Sequence, residues 1–107
     1  MTVPFDVFKQ LDLRIAEVLK VEAHPNADRL WILSIRIGTE ERQIVAGIRQ
    51  FYSAEELVGK KIIVVSNLEP AVIRGVQSDG MLLAASEPDK IVLLVPEKDI
   101  SSGTVVK

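Results

Sequence analysis

From Leu13 to Val95 the chain is a succession of short strand-like runs broken by turns, and this punctuation restricts the fold more than any other feature. Leu13, Ile15, Glu17, Leu19 and Val21 alternate with Arg14, Ala16, Val18, Lys20 and Glu22. The stretch is long enough to bend through two sheets, and both its faces are partly apolar, as a coiled barrel strand requires. His24-Pro25-Asn26-Ala27-Asp28 is a turn by composition. Residues 30–37 form the second strand, with Trp31, Leu33, Ile35 and Ile37 facing one way and Ile32, Ser34 and Arg36 the other. Residues 38–41 turn the chain into a third strand at 42–46, paired with the second as a hairpin. Ser53-Ala54-Glu55-Glu56 has capping-box spacing and predicts a short helix ending by Gly59. Further strands are expected at 61–68, 72–76, 81–85 and 91–95, where Pro96 closes the last clear one. Residues 4–11 read as a short helix or turn with Phe5 and Phe8 on one side, plugging a barrel end.

Many short strands with little helix predict an all-β, closed or nearly closed antiparallel barrel. A helix between the third and fourth strands is where a five-stranded OB-fold Greek-key barrel carries one; the later segments add C-terminal extension strands. At 107 residues, one domain spanning 1–107 is expected. Apolar residues make up 48% of the chain, rich enough to suggest surface buried against a partner, and a homodimer is expected. No apolar run reaches the roughly 18 residues of a membrane span, and residues 1–8 hold neither a basic start nor a cleavable apolar core. A cytoplasmic protein with no membrane partner is expected. Without cysteine, and with His24 as the single histidine, neither a zinc site nor a cysteine nucleophile can be built, so no metal or cofactor is expected.

The net charge of −2 argues against a generic nucleic-acid glue. Its distribution is more informative: residues 29–74 carry a net +2, and the segments on either side carry −2 each. Within and beyond that basic middle, residues 67–84 interleave single polar groups with an apolar, strand-forming run. Asn67, Arg74, Ser78 and Met81 stand among glycines, which admit the close approach of a foreign backbone. Each residue also has an ordinary explanation. Asn67 and Ser78 suit turn or bulge chemistry, Met81 suits a core, and Arg74 suits a solvated or paired position. Arg36, Arg42, Arg49, Lys60 and Lys61 read as surface residues, some lining a basic strip. The pairs Glu40-Glu41 and Glu55-Glu56 lie in polar turns where side chains diverge. No nucleophile elbow or phosphate-cradling glycine loop is present, and a non-enzyme is expected.

Residues 67–84, with their N-L-x-P and R-G-V-x-S-x-G-M patterns, combine with four further blocks: Asp12-Leu13-Arg14, His24 to Leu30, Ile44 to Ile48 and Glu56 to Lys60. In this order they resemble the structure-specific tRNA-binding domain. That module occurs at the C-terminus of many methionyl-tRNA synthetases, in free-standing tRNA-binding proteins and in synthetase cofactors of the endothelial monocyte-activating polypeptide type. The resemblance implies an OB fold, a homodimer, and a tRNA partner recognised by its folded shape, with an aminoacyl-tRNA synthetase, the methionyl enzyme, as the associated catalyst; no DNA partner is implied. It places Asn67, Arg74, Ser78 and Met81 at RNA-contacting positions. Asn67 would bond a base edge or ribose hydroxyl, Arg74 would fork onto a phosphate, Ser78 would serve either, and Met81 would face an unstacked base. Arg29, Arg36 and Arg42 complete the expected RNA-binding set. The expectation is that Asn67, Arg74 and Ser78 stand together at the edge of a concave wall. Where relatives often carry lysine or arginine, this chain has Ala71 and Val72, which removes phosphate contacts. A protein-interaction or chaperone-like module is the alternative reading. Oligosaccharide binding ranks last, since five aromatic residues offer no platform.

Overall fold

The computed structural model describes all 107 residues. Ten strands carry the fold: β1 (Leu13–Ala23), β2 (Trp31–Ile37), β3 (Glu40–Ala46), β4 (Lys61–Val65), β5 (Ala71–Ile73), β6 (Val76–Ser78), β7 (Met81–Leu82), β8 (Ala84–Glu87), β9 (Lys90–Leu93) and β10 (Val105–Val106). Two one-turn helices, α1 (Phe5–Phe8) and α2 (Ala54–Leu57), accompany them. The main sheet runs β3-β2-β1-β4-β7, with β10 added on β1, while β5-β6 and β8-β9 are separate hairpins. The fold is thus nearly all-β, a curled OB-like barrel with its helix between the third and fourth strands, as the sequence predicts.

β1 makes the curl possible. Its first half pairs with β4 from Leu13↔Val65 to Glu17↔Lys61, and its second half pairs with β2 from Glu17↔Arg36 to Ala23↔Trp31. Between Val18 and Lys20 the register shifts. An extra residue bends a strand and exchanges its two faces. Ala16 and Val18 therefore point into the core before the bulge and Val21 after it, which is why the sequence shows apolar residues on both faces. The core they enter is closed by Leu33, Ile35, Ile44, Leu57, Ile62 and Val64, each 1% exposed or less. Tyr52 ties the loop before α2 to this layer: Trp31 Nε1 donates to its carbonyl at 2.8 Å, and its hydroxyl accepts from the Leu93 amide at 3.1 Å. The Ser53 capping box forms with both reciprocal bonds.

Four expectations are corrected. The helix at Phe5–Phe8 plugs nothing, because Phe5 is 70% and Phe8 40% exposed. The strand expected at 61–68 ends at Val65, where Ser66 turns aside to give both its amide and its hydroxyl to the Asp12 carbonyl. The strand expected at 72–76 is two strands joined by a tight turn, with Ile73 paired to Val76 across Arg74 (φ 52°) and Gly75 (φ 90°). A two-residue hairpin loop needs left-handed backbone, a conformation glycine adopts freely and arginine only at a cost. Finally, Pro96 is not the end: β10 pairs with Leu13 and Arg14, a two-residue strand too short to leave a periodic pattern.

Candidate nucleic-acid interface

The expected site residues lie in order along the chain, yet the fold separates them. Asn67, just beyond β4, accepts the Asp12 amide at 2.8 Å through Oδ1 and donates to the Gln10 carbonyl at 2.6 Å through Nδ2. It is exposed but engaged at both ends, and it lines a cleft with Phe5, Phe8, Val105 and Val106. Ser78 is 3% exposed. Its hydroxyl accepts the Val45 amide at 2.9 Å and donates to the Gly80 carbonyl at 3.0 Å, so it fastens β6 to β3 and faces inward. Met81, on β7, is 49% exposed and borders a largely apolar groove with Val45, Ile48 and Leu83. Arg74 stands at the tip of the β5–β6 hairpin in a cleft with Asn26, Asp28 and Arg29. The single concave edge expected to carry Asn67, Arg74 and Ser78 together is therefore not what the fold builds.

One of the glycines acts differently from expectation as well. Gly80 has φ 142°, and a Cβ there would stand 3.1 Å from the Val65 carbonyl oxygen. Its bare Cα serves the close approach of the chain to β4, not a ligand.

The arginines divide into two groups. Arg36 is committed to Glu17 and donates to the Gly38 carbonyl at 3.1 Å. Arg42 clasps Glu40 through Nε and Nη2, with contacts of 2.8–3.2 Å, and donates to the Ser66 carbonyl as well. This clasp, by hydrogen bond first and charge second, holds the Glu40 carboxyl below its usual range. Arg29, Arg49 and Arg74 enter no ion pair. Arg49 lies over the Trp31 ring at 4.8 Å, a cation–π arrangement that leaves the guanidinium edge available. Its amide donates to the Arg29 carbonyl at 3.3 Å, so two of the three unpaired guanidinium groups sit on adjoining backbone. The adjacency is tertiary, and a pattern that marks Arg49 only as a surface residue cannot reveal it.

His24 and Asn26 connect the hairpin tip to the loop between β1 and β2. His24 is 3% exposed. Its Nδ1 accepts the Asn26 amide at 3.0 Å, which leaves Nε2–H to donate to the Ile73 carbonyl at 2.9 Å. In return Arg74 Nη2 donates to the Asn26 carbonyl at 3.1 Å, and Asn26 Nδ2 approaches the Arg74 carbonyl at 3.4 Å. The tip of an otherwise separate hairpin is thereby fixed from two directions.

Residues 13–105 match the family described as the putative tRNA binding domain. The chain is 45% identical over 105 residues to the methionine–tRNA ligase of Thermococcus kodakarensis and 51% identical over 104 residues to that of Thermotoga maritima. These alignments take in 98% and 97% of the chain but only 14% and 16% of the ligases. Among solved structures, a MetRS related protein from Pyrococcus horikoshii superposes with a TM-score of 0.93 at 35% identity, covering 100% of this chain and 99% of that one. The chaperone CsaA from Bacillus anthracis superposes equally well, with a TM-score of 0.93 at 31% identity and full coverage of both chains.

Proposed function

The chain belongs to the putative tRNA-binding domain family, and on that premise we propose that it is a non-catalytic tRNA-binding module that recognises the folded shape of tRNA. The observation that carries this reading is the family match across 13–105, joined by full-length likeness to a MetRS related protein. Since the chain spans about one seventh of the ligases it matches, its role beside a synthetase is also part of the proposal. As an appended domain or a partner in trans, it raises the tRNA affinity of a methionyl enzyme.

In this reading Arg74, Arg29 and Arg49 meet phosphates, and Met81 offers its thioether and neighbouring groove to an exposed base. Asn67 and Ser78 work indirectly: one ties the chain after β4 to the N-terminal segment, the other anchors the hairpin. Arg36 and Arg42, each already paired, add charge near the surface and engage RNA only by exchanging a carboxylate for a phosphate. Titration with bulk tRNA, duplex RNA and single-stranded RNA tests the proposal. A clear preference for tRNA supports it, and equal binding of all three ends the claim of shape recognition.

The module acts as a homodimer. Phe5, Phe8, Leu11 and Val105 form an exposed apolar face beside β10, whose strand pairs on one side only. A two-fold partner could cover that face with its own copy. Two modest RNA patches on one rigid dimer bind with an avidity that neither has alone. Phe8→Glu should shift sedimentation from dimer to monomer and weaken tRNA binding; an unchanged dimer places the seam elsewhere.

The same apolar face and the likeness to a protein named a chaperone support a second reading, protein capture with residual RNA binding. Arg74→Asn separates the two, because it should reduce retention of tRNA and leave capture of an unfolded polypeptide untouched.

A further inference from the structure

We propose that the cleft between the β1–β2 loop and the β5–β6 hairpin tip is a docking station for one RNA backbone phosphate, and that His24 is the positioning residue that assembles it. The proposal rests on the tRNA-binding reading and gives it a place and a mechanism.

The cleft is lined by Asn26, Ala27, Asp28, Arg29 and Arg74, about 300 Å³ in all. Both of its cations are exposed and free of ion pairs. Arg74 spends one Nη2–H on the Asn26 carbonyl, which orients the planar guanidinium while its remaining donors stay open. A fork aimed in advance and left partly unsatisfied suits the bidentate acceptance of a phosphate. A guanidinium on a loose hairpin would have to be immobilised at each binding event.

The hairpin would be loose without its latch. β5 and β6 bond only to each other as strands. At the base the hairpin is fastened to β3 by the Ser78 hydroxyl, by Asp79 N–H to the Gln43 carbonyl at 2.8 Å, and by Gln43 Nε2 to the Gln77 carbonyl at 2.9 Å. At the tip, its fastenings are His24 Nε2–H on Ile73 and the two contacts between Asn26 and Arg74. Only His24 is buried among these. It bonds the loop with one nitrogen and the hairpin with the other, so a single imidazole is the buried bridge across the cleft, beside the two exposed contacts between Asn26 and Arg74. Asp28, the one carboxylate on the rim, is a brake on an anion: its removal should strengthen phosphate binding.

The test measures the affinity of the full chain for bulk tRNA at several salt concentrations. Arg74→Asn keeps a side chain that tolerates left-handed backbone and should weaken binding about tenfold, lowering the log–log salt slope by roughly one. Arg29→Ser should act in the same direction, and Asp28→Asn in the opposite one. His24→Asn retains an acceptor for the residue-26 amide but cannot reach Ile73. It should weaken binding several-fold and speed hydrogen exchange at the hairpin tip. His24→Gln, long enough to donate to the Ile73 carbonyl, should restore much of the loss. The decisive measurement is the double variant: if His24 acts through Arg74, His24→Asn costs little more once Arg74→Asn is present. Equal losses in both backgrounds would overturn the positioning role. Wild-type affinity in both Arg74→Asn and Arg29→Ser, or weaker binding by Asp28→Asn, would overturn the phosphate station while tRNA binding itself stands. A wild-type chain that does not bind tRNA refutes the underlying reading and this inference with it.

Discussion

Leu33, Ile35, Ile44 and Ile62 are enclosed in the curled sheet, whereas in the β5–β6 hairpin only Ser78 is buried and Val72 is 73% exposed. The sheet holds its shape by removing apolar surface from water, a non-directional force that tolerates chemical variation. The hairpin buries too little for that. It keeps its place through a few directed bonds, to β3 at its base and to the β1–β2 loop at its tip, each with one geometry. The difference explains where a binding surface can be built: groups outside the core are free to face a ligand, provided that polar contacts hold them in position.

The comparison predicts that the two regions respond oppositely to substitution, and the largest effect belongs to the sheet. Leu33→Ala should lower unfolding free energy by about 2–5 kcal/mol, measured by urea denaturation. tRNA affinity should be little changed while the protein remains folded. A loss of binding beyond the unfolded fraction would mean that the core and the hairpin are coupled, and the contrast would fail.

Ser78→Ala tests the seam between the regions. It leaves the Val45 amide without its partner in a buried setting, a defect of roughly 1–3 kcal/mol. Hydrogen exchange should accelerate along β6 and at Val45 more than in β1 or β4. Uniform acceleration would mean that the hairpin is no separate unit.

The sequence revealed these regions unequally, and for a physical reason. Trp31, Leu33, Ile35 and Ile37 announce an inward face because burial repeats with the strand period, and the Ser53 capping box is local by nature. The hairpin turn was hidden because Arg74-Gly75 lacks the Asn-Gly or Asp-Gly signal, so 72–76 reads as one strand. Ser78 and Asn67 were legible as unusual polar residues but not as internal ties, since their partners lie 33 and 55 residues away. The His24 latch spans 49 residues. A turn composition shows that the chain reverses there; it does not show what the loop will touch.

Val72→Lys sharpens the contrast from the hairpin side. An exposed position gives a stability change within about 0.5 kcal/mol. The new charge next to the proposed phosphate station should nevertheless tighten tRNA binding and steepen the salt dependence by about 0.7–0.9 in log–log slope if it reaches a phosphate. A steeper slope would identify the hairpin face as part of the RNA path; an unchanged slope would exclude that face from it.

The smallest effect is expected from the exposed ion pairs, which belong to neither the core nor the latch. Asp12 is held below its ordinary value of 3.8 chiefly by the hydrogen bond from Arg14, Asp99 below 3.8 by Lys61, and Glu40 below 4.5 by Arg42. Because the folded state favours these carboxylates as anions, their stabilising contribution is complete above the ordinary values and is lost as pH falls through the lower, folded ones. Their exposure to solvent keeps that contribution small. These three pairs should therefore add nothing to any change in the urea midpoint from neutral pH down to about 5 and contribute to a decline only at more acidic pH. Glu40→Gln removes one of the three titrations and should soften the decline without shifting the midpoint at neutral pH appreciably. A fall between pH 7 and 5 would place the sensitive group outside these three pairs, whereas a Glu40→Gln variant that lost much of its stability at neutral pH would show that the charged rim is not energetically minor, and the division of the molecule into an apolar core, a latched hairpin and that rim would have to be redrawn.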